Sequence, residues 1–354
     1  IRLMAYSTIP KGSLHMNLVL YTGNGSSQAV NTGIDLTANG GLVVAKNRNA
    51  TNKDWYVLDT IRGLSKTLHF NGTGSEQNYT TGVTGFNNNG FQVGSATQTN
   101  GSGNLLIGYN WKAGTSVTGS ANTDGSISST VSANTTSGFS IVKYTGTGST
   151  ATIGHGLGII PKIILIKSTS NGSLEWRSYF SATGNTKYMV INQPYTVSGA
   201  DSSFMNNTSP TNSVFTVGSS STPNENGGTY IAYCFADIKG FSKMGGYTGS
   251  ASTDGTFVYC GFKPSFIFTK ATATGEGWQI YDSKRLGVNA TEKVLYPNTA
   301  GTEATLTGGV DFLSNGFKWR TADGGVNSSQ LYVYMAFAEN PFVATSGTNA
   351  VPVT

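Results

Sequence analysis

Apolar residues alternate with small or polar residues in short runs along the whole chain, and clusters of Gly, Asn, Ser and Thr separate these runs. The segments YIAYCFA (230–236) and LYVYMAFA (331–338) show this period of two most clearly. A period of two is typical of strands that bury one face, and we find no helical period sustained over a dozen residues. The pattern predicts an all-β protein built from β-sandwich or jelly-roll-like domains, in which two sheets cover each other's apolar faces.

A set of landmarks recurs three times in the same order. A Tyr-Thr-Gly turn is followed by an apolar run that ends in Lys, then by a Trp, an Asn/Ser-rich turn with an aromatic residue, and an alternating strand. Self-similarity at a fixed period indicates a repeated structural unit. The copies of the tyrosine are Tyr21, Tyr144 and Tyr247, and those of the tryptophan are Trp55, Trp176 and Trp278.

Each copy spans roughly the length of one β-sandwich, which is about 100 residues. The last two Tyr-Thr-Gly turns lie 103 residues apart and the first two 123 apart. The additional residues fall within 115–137, which lacks aromatic side chains and is rich in Ser, Thr, Gly and Asn. We therefore predict a first β unit at 1–114, an extended linker at 115–137 with at most one short strand, a second unit at 138–240, and a third at 241–354 with a C-terminal tail.

Composition and charge restrict the classes of function. Charged residues make up only 11% of the chain, against about 25% in typical domains. The net charge of +5 comes from scattered Lys and Arg, whereas a nucleic-acid site needs a basic stripe. A mildly basic surface is at most a weak indication of an acidic glycan ligand. The apolar runs are too short to span a bilayer, so we expect neither nucleic-acid binding nor membrane insertion.

Cysteine and histidine are too few and too scattered to indicate a metal site or cofactor. Cys234 and Cys260 both lie in apolar alternating runs. We interpret them as buried free thiols, with a cross-strand disulfide as the alternative.

The motif Trp-x-x-x-Asp-x-x-Arg is the best local constellation of polar residues. It contains Asp59 and Arg62 in the first copy and Asp282 and Arg285 in the third, whereas Phe180 replaces the acid in the second. An aspartate three residues before an arginine favours a turn with a charge-assisted hydrogen bond. Glycoside hydrolysis requires two facing carboxylates, and no repeated acidic partner is present. We therefore assign no catalytic residue and predict that the protein is not an enzyme.

Loops that differ between the copies are freer to serve recognition than the shared landmarks. An aromatic side chain beside amide and carboxylate groups is the combination that binds sugars. The richest such loop is 192–213, and a second is 71–82. The candidate ligand-binding residues are Tyr195, Asp201, Phe204 and Asn206 in the first loop and Glu76 and Tyr79 in the second. The alternative for each loop is a solvated segment without a ligand.

Long stretches of the chain resemble the repeated β domain of marine bacteriophage tail-fibre proteins. They are GSISSTVSANTTSGFSIVKYTGTGSTATIGHGLGIIPKIILIK with the following Trp176, GGTYIAYCFADIKGFSKMGGYTG, and the third-copy segments DGTFVYCGFKPSFIFTK, WQIYDSKR and YMAFAENPF. The first-copy segment GLVVAKNRNATNKDWYVLDTIRG is similar to units found upstream in such fibres. The resemblance extends from about Tyr21 to Phe342, and most of its motifs are structural.

The resemblance implies a virion or extracellular fibre subunit that contacts the host surface, usually as a homotrimer, and it brings no catalytic residues. We therefore expect a homo-oligomer, either a trimer or a polymer, that binds a host cell-surface glycan. One alternative is a filament subunit with strand exchange at its sheet edges. A less favoured one is a polysaccharide-depolymerising tailspike. Because the chain starts at Ile1, we also expect a fragment, a processed product, or the same domain in another setting.

Overall fold

The computed structural model describes residues 7–285, 289 and 291–341, and these residues form an all-β fold, as predicted. Among them, the helical segments are single turns at Gly12–Leu14 (3₁₀), Thr97–Asn100 (α1), Ser202–Met205 (α2) and Ser221–Asn224 (α3). No helix in the described ranges has the length and apolar character needed to cross a bilayer.

The first part of the chain folds into facing antiparallel sheets. The larger sheet has the order β1-β9-β3-β4 and the smaller one the order β2-β8-β7, while β5 and β6 form a short separate pair. The strands are β1 (Met16–Thr22), β2 (Gln28–Asn31), β3 (Gly41–Asn47), β4 (Tyr56–Asp59), β5 (Lys66–Thr67), β6 (Gln77–Asn78), β7 (Val83–Asn87), β8 (Gly90–Val93) and β9 (Leu105–Lys112).

Residues 115–137 form strands, so the prediction of an extended linker was wrong. They contain β10 (Ser120–Asn122) and the whole of β11 (Ser129–Asn134). These strands pair with the next one along the chain and extend its sheet to seven strands. The segment has few large apolar residues because backbone hydrogen bonds along the sheet, rather than burial of large side chains, hold most of it in place.

The second and third parts of the chain repeat the strand order of the larger sheet. In the second, the corresponding order is β12-β18-β14-β15, and in the third it is β19-β26-β21-β22. The second part contains β12 (Phe139–Thr145), β13 (Ala151–Gly154), β14 (Ile163–Ser168), β15 (Arg177–Phe180), β16 (Met189–Val190), β17 (Val214–Val217) and β18 (Thr229–Phe235). The third contains β19 (Ser242–Thr248), β20 (Phe257–Tyr259), β21 (Pro264–Ala271), β22 (Gln279–Asp282), β23 (Thr291–Val294), β24 (Ala304–Leu313), β25 (Gly316–Trp319) and β26 (Leu331–Ala338).

Each part also has its own apolar core between its larger and smaller sheets. Cys234 and Cys260 are buried in the cores of different parts, the second and the third. Both are free thiols, as interpreted from the sequence.

The three larger sheets turn their other faces toward one shared core. Trp111, Phe235 and Phe337 occupy equivalent positions on β9, β18 and β26 and meet in a triangle. Their ring centroids are 6.0, 6.1 and 6.3 Å apart. The units therefore surround an approximate threefold axis instead of following one another in a line.

The repeated tryptophans close this arrangement into a ring. Each is fully buried, and its indole N–H donates to a backbone carbonyl of a neighbouring unit. Trp176 donates to His69 of the first unit and Trp278 to Val190 of the second, at 2.8 and 2.7 Å. Trp55 donates to Tyr296 of the third unit at 3.0 Å. The direction is the same at all three boundaries, so the landmark tryptophans hold the units to one another.

Candidate ligand-binding surface

The loop 192–213 exposes only part of the predicted ligand-binding set. Phe204 is fully buried in the core of the second unit, where its ring packs edge-on against Tyr188. Its assignment as a ligand-binding residue was wrong, because α2 directs this side chain inward and leaves no surface for a sugar.

The neighbouring polar residues of this loop stabilise α2. Asp201 accepts a hydrogen bond from the backbone N–H of Ser203 at 2.8 Å and lies 3.7 Å from Arg177. Asn206 ends the helix in the left-handed conformation, with φ of 49°, a region that Asn tolerates better than most residues. Tyr195 is 52% exposed, and Asn206 is exposed as well.

Glu76 and Tyr79 in the loop 71–82 are engaged within the protein. The Glu76 carboxylate lies 3.5 Å from Arg62 and 3.6 Å from Lys66, and its backbone N–H donates to Thr169 of the second unit. Tyr79 packs against Tyr56, with ring centroids 5.7 Å apart. These contacts assign the loop to the boundary between the first two units.

The Asp–Arg motif of the first unit forms a buried polar cluster at the same boundary. Arg62 Nε donates to Asp59 at 2.5 Å, and Arg62 Nη2 donates to the carbonyl of Val57 at 3.0 Å. The hydroxyl of Tyr233, from the second unit, donates to Asp59 at 2.8 Å. Burial is the largest single influence and opposes the charge on Arg62, but the attraction and hydrogen bond of Asp59, together with Tyr233 and Glu76, outweigh it and raise the pKa of the guanidinium. The turn predicted from the sequence is therefore also a contact between units.

The third unit repeats this cluster against the first. Arg285 Nε donates to Asp282 at 2.6 Å, and the hydroxyl of Tyr109 donates to Asp282 at 3.0 Å. In the second unit Phe180 replaces the acid, and in the third unit Met335 occupies the strand position of Tyr109 and Tyr233. Both replacements lie in the shared apolar core, so the acid and its tyrosine partner are lost together at one of the three boundaries.

The repeated lysines are buried as well. Lys46, Lys167 and Lys270 are at most 1% exposed, and burial lowers the pKa of each ammonium group to about 8. Their Nζ atoms donate to backbone carbonyls, Lys167 to Ser168 at 2.8 Å and Lys270 to Ala271 at 2.9 Å. Lys46 donates to the carbonyl of Lys53. These contacts secure the loop that leads from the lysine strand toward the tryptophan.

The third unit carries a surface that sequence reasoning missed. Phe257 and Tyr259 on β20 are 42% and 61% exposed, whereas Val258 between them is buried. β20 is the edge strand of the smaller sheet, with the order β20-β25-β24-β23. Lys318 lies opposite Phe257 and Gly316 opposite Tyr259. The two rings therefore project from the outer side of this sheet.

Charged side chains border the two rings. Lys318 Nζ lies 2.6 Å from Asp254, and Arg320 contacts Asp254 at 3.5 Å and Asp311 at 2.5 Å. Asp254 is the most accessible of these groups, with 79% of its side chain exposed. Its hydrogen bond with Lys318 and the positive charge there lower the pKa of its carboxyl group. We call the surface formed by Asp254, Phe257, Tyr259, Gly316, Lys318 and Arg320 the aromatic face.

The other two units lack this aromatic pair. The buried residues Val30, Ile153 and Val258 pair with Phe91, Phe215 and Phe317 and therefore mark equivalent positions. The residues on either side of the buried one are Ala29 and Asn31 in the first unit, and Thr152 and Gly154 in the second. An alignment of these strands within the sequence reveals the difference, whereas the general association of recognition with loops does not point to it.

In the described ranges, no group of three or more His, Cys, Asp or Glu side chains is arranged to hold a metal ion. Comparison with protein-family models matches residues 11–341 to the Domain of unknown function (DUF7483). A search of curated proteins returns no match.

Proposed function

The chain belongs to the family of this domain of unknown function, and we propose that it is a non-enzymatic attachment protein that binds a glycan on the surface of a host cell. Its setting is a virion tail fibre or a related extracellular receptor-binding structure. The proposal draws on the resemblance to phage tail-fibre domains and on one observation, the exposed aromatic face that only the third unit carries.

The chemistry of the aromatic face suits a sugar ligand. Exposed aromatic rings offer a flat apolar platform for the C–H side of a pyranose. The carboxylate of Asp254 accepts hydrogen bonds from hydroxyl groups, and Lys318 and Arg320 donate them. The repeated lysines and tryptophans are buried, so recognition falls to the residues that differ between units.

The alternative of a polysaccharide-depolymerising enzyme has less support. Asp59 and Asp282 are fully buried in their ion pairs, where a polysaccharide cannot reach them. Glycoside hydrolysis also requires a carboxylic acid whose pKa is raised, whereas Lys318 lowers the pKa of the exposed Asp254.

A filament subunit is a second candidate, favoured by the strand edge at β10. This short strand forms one end of the seven-stranded sheet, and Ser120 and Ala121 are exposed. An edge strand is able to pair with another chain. Electron microscopy of the purified protein distinguishes the two candidates, because strand exchange produces a regular polymer.

Incubation with a panel of purified bacterial surface polysaccharides tests the proposed function. We expect at least one polysaccharide to retain the protein. The chain length of that polysaccharide, measured by gel filtration and by a reducing-end assay, should stay constant. Release of oligosaccharides would contradict the non-enzymatic assignment. Failure to bind any polysaccharide or any whole cell in a bacterial panel would contradict attachment itself.

A further inference from the structure

We infer that the aromatic face binds a neutral, hydroxyl-rich pyranose chain, and that each protein chain has one such site. The inference rests on the proposed function and deepens it by naming the class of glycan and the place where it binds. The net charge of +5 is at most a weak indication of an acidic glycan, so the neutral class is inferred from the aromatic face itself.

The backbone of the face keeps the two rings accessible. Residues two apart on a strand point to the same side and lie roughly 6.5–7 Å from each other, so the rings of Phe257 and Tyr259 are spaced to contact consecutive parts of one extended ligand. At Gly316 a Cβ atom would come within 2.1 Å of the carbonyl oxygen of Val258 and 3.0 Å of the Phe257 ring. Glycine therefore allows the ring of Phe257 to lie against the strand, and the position opposite Tyr259 carries no side chain.

The charges favour a ligand without charge of its own. Lys318 and Arg320 share Asp254, and Arg320 also pairs with Asp311, so two cations are balanced by two carboxylates. A polyanion approaching the rings would meet the exposed carboxylate of Asp254 and would have to displace it from both cations. A neutral sugar gains hydrogen bonds from the same groups without breaking the ion pairs.

The number of sites follows from the residues at the equivalent strand positions of the three units. In place of the two rings, the first unit has Ala29 and Asn31 and the second has Thr152 and Gly154. None of these four residues offers an aromatic platform. Among the described residues, the equivalent strand positions therefore carry an exposed aromatic pair in the third unit alone.

The test uses the intact chain in affinity electrophoresis with three neutral polysaccharides, a β-glucan, a galactan and a mannan, and with alginate as the anionic probe. We expect at least one neutral probe to retard the protein, with a Kd that changes less than about twofold between 50 and 500 mM salt, because uncharged contacts are not screened. The double variant F257A/Y259A should weaken binding at least about tenfold, as removal of two aromatic anchors does at other binding surfaces. Its thermal unfolding should stay unchanged, because both rings are exposed.

Two further variants make the result specific. Ile160→Ala removes another exposed apolar side chain and should leave binding unchanged. Tyr195→Ala removes the exposed tyrosine of the loop 192–213 and should also leave it unchanged. Loss of binding in Tyr195→Ala, but not in F257A/Y259A, would overturn the assignment of the site.

The remaining outcomes separate this inference from the proposed function. Retardation by alginate alone, with an affinity that falls steeply as salt increases, would overturn the neutral-glycan class and leave attachment intact. Attachment of F257A/Y259A to whole cells at the affinity of the unaltered protein would likewise overturn this inference and leave the proposed attachment function intact. If no neutral probe retards the protein although cells bind it, the inference is contradicted; if cells do not bind it either, the proposed function fails as well.

Discussion

Arg48 and Glu303 form a bidentate ion pair across the boundary between the first and third units, with N–O distances of 2.9 and 3.2 Å. At this boundary no short stretch of chain connects the units, in contrast to the other two. Two backbone hydrogen bonds accompany the ion pair, from Glu303 N–H to Arg48 and from Lys53 N–H to Ala300. The ring is thus closed by polar contacts where chain connectivity contributes least.

Replacement of Glu303 should weaken this closure. Glu303→Gln removes the negative charge that Arg48 and the buried Arg285 share, so we expect the free energy of unfolding to fall by about 1–3 kcal/mol. Hydrogen exchange at the backbone amides of Lys53 and of residue 303, which donate across this boundary, should become faster in the variant. The matched control is Glu339→Gln, whose ion pair with Lys284 is about one-third exposed and should contribute less than about 1 kcal/mol. Equal losses in the two variants would contradict a special role for the closing pair.

The buried Asp–Arg–Tyr cluster should tolerate joint replacement better than the loss of its acid. Asp282→Asn leaves the buried Arg285 with only the more distant carboxylate of Glu303, at 3.3 Å, and we expect a loss of about 3–5 kcal/mol in urea unfolding. The triple variant D282F/R285T/Y109M copies the boundary between the second and third units, where the equivalent residues are Phe180 and Thr183 of the second unit and Met335 of the third. It should recover at least half of that loss, since an apolar replacement leaves no buried charge. A triple variant less stable than Asp282→Asn would refute this account of the boundary.

The three buried lysines should make stability increase with pH. Burial lowers the pKa of Lys46, Lys167 and Lys270 from 10.5 to about 8. Between these values the unfolded chain binds more protons than the folded one, so the free energy of unfolding rises as the pH increases from about 8 toward 10. We expect a slope of up to about 1 kcal/mol per pH unit for each lysine.

Urea unfolding between pH 7.5 and 9.5 measures this slope. The window stops below the ordinary pKa of tyrosine because buried tyrosines such as Tyr233, whose pKa is raised, reverse the trend at higher pH. The buried thiols of Cys234 and Cys260, whose pKa burial raises to about 12, oppose the lysine slope in the upper part of the window, because the unfolded thiols lose their protons there. The contribution of one lysine is therefore taken from the difference in slope between the unaltered protein and a variant. The slope should be smaller in Lys167→Met and unchanged in Lys11→Met, since Lys11 is exposed. An identical slope in all three proteins would show that the buried ammonium groups are not its cause.

The triangle on the approximate threefold axis should accept phenylalanine in all three positions. Trp111 Nε1 is buried and has no hydrogen-bond partner within the described residues, whereas the equivalent Phe235 and Phe337 have no polar atom. Trp111→Phe removes this unpaired N–H, and the gain offsets part of the packing that is lost with the larger ring. We therefore expect the free energy of unfolding to change by less than about 1 kcal/mol. Phe235→Ala should cost about 3–5 kcal/mol. Comparable losses in the two variants, measured by urea unfolding, would contradict the predicted difference.

The period of two and the repeated landmarks were sufficient to predict the all-β class. They were not sufficient to predict the ring. Periodicity identifies which side of a strand is apolar, but it carries no information about which other sheet covers that side. The bond from Trp55 to Tyr296 joins residues 241 positions apart, and no local pattern specifies it.

One candidate binding residue, Phe204, was wrong for a local reason. Phe204 was grouped with its polar neighbours because composition does not show which way a side chain points, and one turn of helix directs it into the core. Phe257 and Tyr259 were overlooked because they belong to a strand, where an aromatic residue is usually taken as core. The two errors have the same origin, since burial depends on orientation as well as on residue type.

Calorimetric titration with a neutral oligosaccharide, taken from the polysaccharide that retains the protein best, tests the central claim most directly. We predict one binding site per chain in the unaltered protein and none detectable in F257A/Y259A at the same concentrations. Three equivalent sites per chain, or an unchanged isotherm in the variant, would contradict the assignment of recognition to the third unit alone.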